Sequence, residues 1–91
     1  MRLSRIPEFT NNTFDGMLGW FAEMSVRGLL FHPDDSPEDI VSVDDGSPVF
    51  SNRECEDLNA ILGVMFSVHG SQVHEACYPV FVRKSGLRLD A

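Results

Sequence analysis

The residue types that bind zinc occur four times in the second half of the chain, as Cys55, His69, His74 and Cys77. A structural zinc site holds four such ligands within a few ångströms of one another. If Cys55 and His69 lie on one helix, the helical rise of about 1.5 Å per residue separates them by about 21 Å. His74 and Cys77 are close in sequence, but two ligands do not complete a site. The sequence therefore predicts no metal and no cofactor, and it favours reduced, buried cysteines.

His74 and Cys77 are also the candidates for nucleophilic catalysis, because residues three apart can touch across one turn of a helix. A thiol nucleophile needs a base and a third group that orients the base. The sequence contains neither a nucleophile elbow nor a glycine-rich phosphate loop. We therefore assign no catalytic residue and favour a non-enzymatic role. A small enzyme or ligand-binding domain that uses His74 and Cys77 is the alternative.

The carboxylates are concentrated in one segment of the chain. Nine of the fourteen acidic residues lie between Asp34 and Asp57, together with a single basic residue, Arg53. The rest of the chain has five acidic and six basic residues, so the net charge of −7 resides in this segment.

Six of these acids come as adjacent pairs, whereas a helix-loop-helix calcium site places acids at alternate positions. Neighbouring side chains of an extended segment point to opposite faces, so each pair spreads its charge rather than focusing it on one ion. The calcium motif is absent. The six acids are Asp34, Asp35, Glu38, Asp39, Asp44 and Asp45.

The acidic segment is either a solvated face that aids solubility or a surface complementary to a basic protein. Direct binding of nucleic acid is disfavoured, because a binder needs clustered Lys and Arg. We predict a small acidic protein-interaction module that regulates or inhibits a basic, nucleic-acid-binding protein partner. The predicted partner-binding residues are the six paired acids, with Trp20 as an anchor.

Nothing in the sequence resembles an export signal or a membrane span. Arg2 and Arg5 near the start are followed by Glu8 and Asn11, which interrupt the apolar segment that a signal peptide requires. No apolar run approaches the roughly 18 residues that span a bilayer. We expect a cytoplasmic protein with no membrane contact, and 91 residues with 43% hydrophobic composition suit a single compact domain.

Helical periodicity predicts a first helix from about Phe14 to Arg27. Thr13 can cap its start, and Gly28 suits the left-handed residue that often ends a helix. Trp20 lies at the edge of the apolar stripe, where its ring either half covers the core or is exposed to a partner.

The strongest local signal is Ser51 followed by Glu54, a capping box that starts a second helix running to about His69 and ending at Gly70. This helix is apolar around most of its circumference, so it is either central or part of a self-association surface. Its remaining side is a ridge of small residues that would let another helix approach closely. The ridge consists of Ala60, Gly63 and Ser67. A homodimer, or a purely structural self-assembling subunit, is therefore a further possibility.

Two hairpins complete the predicted fold. Asp45-Gly46 suits a tight turn between 40–43 and 49–50. Pro79 would end a short third helix near Tyr78, leaving 80–89 for a terminal hairpin. The predicted class is α+β and mainly helical, with two main helices, a shorter third and one or two small β-hairpins. The alternative is an all-α fold whose last helix is kinked at Pro79 and continues to Lys84.

Overall fold

This computed structural model describes residues 5–85 of the chain, with side chains described to residue 83. All the regular secondary structure in this part of the chain is helical. Helix α1 spans Phe14–Val26, α2 spans Asn52–His69 and α3 spans Gln72–Ser85, and a single 3-10 turn at Pro37–Asp39 precedes α2. The mainly helical class is confirmed, and the predicted bounds of α1 and α2 agree with the observed ones to within one residue.

The predicted capping residues begin both long helices. The Thr13 hydroxyl accepts a hydrogen bond from the Gly16 amide at 3.0 Å. Ser51 and Glu54 form the complete capping box, with the Ser51 amide donating to the Glu54 carboxylate at 3.0 Å. Gly28 follows α1 with a φ of +73°, a backbone conformation that favours glycine. These ends are set by local chemistry, as expected from the sequence.

Helix α3 continues through Pro79, so the predicted end near Tyr78 and the predicted terminal hairpin are wrong over residues 80–85. The hairpin's remaining residues, 86–89, lie outside the described part of the chain. An internal proline costs a helix about 3 kcal/mol. Full burial of one large apolar side chain stabilises the fold by about 1.5–3 kcal/mol, and the continued helix buries Val80 and part of Phe81. Packing therefore outweighs the local preference, as in the all-α alternative.

The first predicted hairpin is reduced to one isolated antiparallel bridge between Val41 and Pro48, and within residues 5–85 no strand is formed. The turn is present, because Gly46 has a φ of +72° and the Ser42 amide donates to the Ser47 carbonyl at 2.8 Å. The Val49 amide donates to the Ile40 carbonyl at 3.1 Å on the other side of the bridge, but the pairing ends there because Ile40 already caps the 3-10 turn and Ser51 already caps α2. The α+β prediction is not confirmed.

The core forms where α3 packs against α1 and α2. Its fully buried members come from all three helices, and one cluster contains them. The largest are Met17, Phe21, Met24, Leu58, Met65, Val73 and Cys77. Within residues 5–85, no helix has both the length and the apolarity required to cross a membrane.

An extended arm that precedes α1 completes this core and buries Trp20. The Trp20 side chain is 5% exposed, and its indole N–H donates to the Pro7 carbonyl at 2.9 Å. The ring also contacts Phe9 edge-on, with centroids 6.3 Å apart. The prediction of Trp20 as an exposed partner anchor is therefore wrong, because the arm covers the edge of the α1 stripe on which the indole lies.

The same arm is joined to α2 through a buried carboxylate. Glu54 is 4% exposed and accepts hydrogen bonds from the Arg5 guanidinium at Nε and Nη2, both at 2.9 Å. The Arg5 backbone amide donates to the same carboxylate at 3.1 Å. These donors, with Arg5 first among them, lower the pKa of Glu54 to about 2.

Candidate functional site

The first part of the acidic segment, together with the residues just before it, is fixed to the core at several points. Phe31 packs against Phe50 with ring centroids 5.5 Å apart, and both rings are buried. Pro33 and Pro37 lie between these two residues in the sequence and are also buried. The fixed φ of proline reduces the conformational freedom of the connecting chain. The segment is therefore an ordered surface element.

Two of its acids also make hydrogen bonds to distant helices. The Asn59 amide of α2 donates to the Glu38 carboxylate at 3.0 Å. His74 Nε2 of α3 donates to Asp34 Oδ1 at 2.7 Å. The hydrogen bond from His74 lowers the pKa of Asp34. These contacts fix the 3-10 turn against α2 and α3.

The six paired acids are all exposed. The structure spreads them over two turns, the first at 34–39 and the second at 44–45, with the bridge between Val41 and Pro48 joining the arms of the second turn. Asp45 accepts two hydrogen bonds from Ser47, which lower its pKa. Beside these charges, the Val43 side chain is 100% exposed. We call the six carboxylates with Val43 the acidic surface.

A cavity of about 450 Å³ lies beside the Asp34–His74 contact. Its walls come from the segment after α1 and from one face of α3, and they are lined by His32, His74, Glu75, Cys77, Tyr78, Pro79 and Phe81. The centre of the His32 ring lies 5.9 Å from the centre of the His74 ring and 5.7 Å from that of Phe81. The predicted pair His74 and Cys77 therefore does line a cavity.

The histidine hydrogen bonds show which ring nitrogens are available. The Asp34 amide donates to His32 Nδ1 at 3.1 Å, so this nitrogen accepts and the proton of the neutral ring is on Nε2. The 3.7 Å contact of the same Nδ1 with the Asp34 carboxylate is then not an ion pair. His74 uses its Nε2–H for Asp34. The cavity thus has two orientated imidazole rings held by one acidic residue.

Cys77 is not suited to nucleophilic catalysis in this environment. The thiol is buried and donates a long hydrogen bond of 3.5 Å to the His74 carbonyl. Burial raises the pKa of Cys77 to about 11, whereas a reactive cysteine requires a lowered pKa. The His74 imidazole is bonded to Asp34 instead.

The four residues considered for zinc are not brought together. His69 Nε2 lies 2.8 Å from the Asn12 carbonyl, and Cys55 contacts the Phe50 carbonyl at the opposite end of α2. Among residues 5–85, no group of three or more His, Cys, Asp or Glu side chains is arranged to hold a metal ion.

Comparison with known proteins adds no assignment: no family model, no curated protein and no solved structure matches this chain. Functional inference therefore rests on the geometry of three features: the acidic surface, the cavity, and the outer face of α2, which carries Ala60, Gly63 and Ser67.

The outer face of α2 carries the small-residue ridge. Ala60, Gly63 and Ser67 are all exposed. Two valines extend the same face, and Val68 is 61% exposed while Val64 is also largely accessible. Since all five of these residues are exposed, the described part of the chain leaves this face accessible.

Sequence reasoning did not identify His32, Tyr78 and Phe81 as cavity residues. The apolar Leu29–Phe31 stretch before His32 gave no indication of a contact with α3, because the two are more than forty residues apart. Tyr78 and Phe81 were separated by the predicted helix end at Pro79. Continuation of the helical stripe beyond Pro79 was the one signal that could have placed them on a common face.

Proposed function

We propose that the protein is an acidic protein-interaction module whose acidic surface binds a basic protein, and that it regulates or inhibits a partner whose basic surface otherwise contacts nucleic acid. The observation that carries this proposal is the anchoring of the acidic segment: it is fixed by buried prolines, by Phe31 and by contacts to α2 and α3, while its six paired carboxylates remain exposed.

Anchoring favours recognition because an ordered surface loses less conformational entropy on binding than a flexible loop. Complementary charge then accelerates encounter and selects partners of opposite sign. A loop needed only for solubility gains nothing from contacts such as that between Glu38 and Asn59. Phosphate-binding surfaces are rich in Lys and Arg, so they are the natural complement of this charge.

The exposed Val43 indicates how such a partner would be shaped. A fully exposed valine at the tip of an acidic turn can insert into a shallow apolar depression, which provides contact area that charges alone do not. The partner surface is therefore expected to combine Arg or Lys side chains with a small apolar recess near their centre.

The experiment compares two triple variants with the same change in net charge. The first replaces Asp35, Asp39 and Asp44 by Asn, because within the described residues their side chains make no hydrogen bond or ion pair. The second replaces Asp15, Glu56 and Asp57 by Asn or Gln, outside the acidic surface. Each immobilised protein is used to capture partners from an extract of the source cells at two salt concentrations.

The first variant is expected to lose a partner that the wild type and the second variant both retain, with an affinity loss of about tenfold or more. Capture by the wild type is expected to weaken as salt rises from about 50 to 300 mM, since screening reduces exposed charge interactions. A short DNA duplex should compete for the captured partner. Equal capture by both triple variants would contradict the proposal.

A second candidate function is self-association through the outer face of α2, giving a homodimer. It is favoured by the exposed valines at positions 64 and 68 beside the Ala60, Gly63 and Ser67 ridge. Two copies that pair antiparallel would bury these valines and bring the small residues into close contact. Antiparallel pairing would also keep the acidic starts of the two α2 helices apart.

Sedimentation equilibrium tests this second candidate at protein concentrations up to about 1 mM, a range that covers weak association. The wild type should approach dimer mass, and Val68→Lys should remain monomeric because it places like charges at the pairing surface. Val26→Lys is the control, since Val26 is exposed on α1 and should leave the mass unchanged. A monomeric wild type throughout the range would exclude the homodimer.

A further inference from the structure

The cavity beside Asp34 has the size and the walls of a small-molecule site. Its volume of about 450 Å³ falls within the range of roughly 300–1,000 Å³ that is typical of ligand pockets. Aromatic rings provide most of the wall: Tyr78 and Phe81 from α3, and His32 from the segment before the 3-10 turn. Because α3 continues past Pro79, Tyr78, Phe81 and Glu75 share one side of this helix.

Two of the lining rings are phenyl or phenol rings of α3, Tyr78 and Phe81. Tyr78 is 52% exposed, and Phe81 is half-buried with its ring 5.7 Å from His32 at an interplanar angle of 31°. The faces of Phe and Tyr carry partial negative charge, so they attract a cation within about 6 Å of the ring centre.

The carboxylates at the cavity supply negative charge. Glu75 lines it directly, and the Asp34 carboxylate is held 2.7 Å from the lining residue His74. Pro79 has no amide N–H, so the carbonyl of Glu75 lacks its usual helical donor on the face that lines the cavity. Among the described lining residues there is no Lys or Arg. Since no Lys or Arg among these described residues offsets the carboxylates, the cavity favours a positively charged ligand.

We propose that this cavity binds a small organic cation, an ammonium group attached to an aromatic or other apolar body. The apolar body lies between the rings of Tyr78, Phe81 and His32, and the ammonium group is paired with Glu75 and the Asp34 side of the cavity. This site shares Asp34 with the acidic surface but does not depend on recognition of a protein partner, so either proposal stands if the other fails.

The test titrates three probes that share one ring system into the ¹⁵N-labelled protein: 2-naphthylmethylammonium, 2-naphthalenemethanol and 2-naphthoate. The cation is expected to shift the amide signals of His32 and of residues 74–78, 80 and 81, and to bind at least threefold more tightly than the alcohol and tenfold more tightly than the carboxylate. The proposal requires that the ring and the charge bind at one site. The alcohol, which has the ring without the charge, should therefore shift the same signals more weakly.

Three variants separate the proposed site from general attraction of cations to a protein of net charge −7. Glu75→Gln should lower the affinity for the cation about three- to tenfold and leave the affinity for the alcohol unchanged. Asp15→Asn, which removes the same charge from α1, should change neither affinity. Tyr78→Leu keeps an apolar wall but removes the π face, and it should reduce the preference for the cation over the alcohol. Both Glu75 and Tyr78 are exposed, so both variants should fold.

Three outcomes would overturn the proposal. Equal affinity for the cation and the carboxylate would show that charge does not select the ligand. Signal shifts confined to residues 34–49 would show that cations associate with the acidic surface alone. Equal weakening by Glu75→Gln and Asp15→Asn would show that net charge, not this cavity, governs binding.

Discussion

Replacing Glu54 by Gln is expected to destabilise the protein by about 2–3 kcal/mol. Removing one partner of a buried ion pair costs about 3–5 kcal/mol, and the partly exposed Arg5, whose side chain is 55% accessible, reduces that loss through solvent screening. All the groups that contact the Glu54 carboxylate are N–H donors. The NH₂ group of a glutamine side chain is itself a donor, so it would face another donor there. Urea denaturation at pH 7 measures the difference.

The matched control is Glu56→Gln, which removes the same charge from an exposed position two residues along α2. Its effect should stay within about 0.5 kcal/mol, as for most surface substitutions. If the two variants were equally stable, the contact between Arg5 and Glu54 would contribute no net stability, and the N-terminal arm would be held by its other contacts, such as the hydrogen bond between Trp20 and Pro7.

The Glu54 contact also predicts an acid-sensitive stability. The pKa of Glu54 is lowered from 4.5 to about 2 in the folded protein, so the folded state favours the ionised form. Its contribution is fully present above about pH 4.5 and is lost as the pH falls towards 2. The stability difference between wild type and Glu54→Gln should therefore narrow between pH 5 and about 2.5; a difference that stayed constant with pH would contradict this origin.

The second large effect is expected at Gly16, where alanine should destabilise the protein by about 2 kcal/mol or more. A Cβ atom at this position would collide with the backbone carbonyl of Asn11. Backbone atoms cannot rotate away as a flexible side chain can, so the arm that carries Pro7 must shift, and overpacking of this kind costs about 1–3 kcal/mol.

Gly19→Ala is the control one turn along α1, because a Cβ there meets nothing within 4 Å. Alanine is favoured over glycine inside a helix by about 0.8–1 kcal/mol, so this variant should be more stable than the wild type. The two substitutions therefore have opposite expected signs in chemical denaturation. Two stabilised variants would show that the arm does not pass over Gly16 as described.

Local chemistry made part of the fold predictable. Thr13, Ser51 and Glu54 lie within three residues of the amides that they cap, so their roles can be inferred from sequence spacing. The positive φ of Gly28 and Gly46 similarly follows from the need for a left-handed residue at those positions.

Contacts between distant residues decided what was not predictable. Trp20 is buried because Pro7, thirteen residues earlier, accepts its indole hydrogen bond. Arg5 meets Glu54 across a separation of 49 residues. In both cases the N-terminal arm had no periodic pattern that indicated its path over α1 and α2, so sequence reasoning left it unassigned.

The candidate sites divide in the same way. Charge counting located the acidic residues, but the anchoring of Glu38 by Asn59 and of Asp34 by His74 depends on tertiary packing. Spacing identified His74 and Cys77 as neighbours, yet the chemistry suggested by that spacing is not supported, because Cys77 is buried with a raised pKa. The cavity depends on α3 continuing past Pro79, against the intrinsic preference of proline.

Hydrogen exchange of the protein alone and in complex with its captured basic partner tests the proposed recognition surface most directly. Binding through the acidic surface predicts slowed amide exchange in residues 31–49, with α1 unchanged. Protection confined to α2 or α3, with residues 31–49 exchanging as in the free protein, would contradict the proposal and assign the interface to another face.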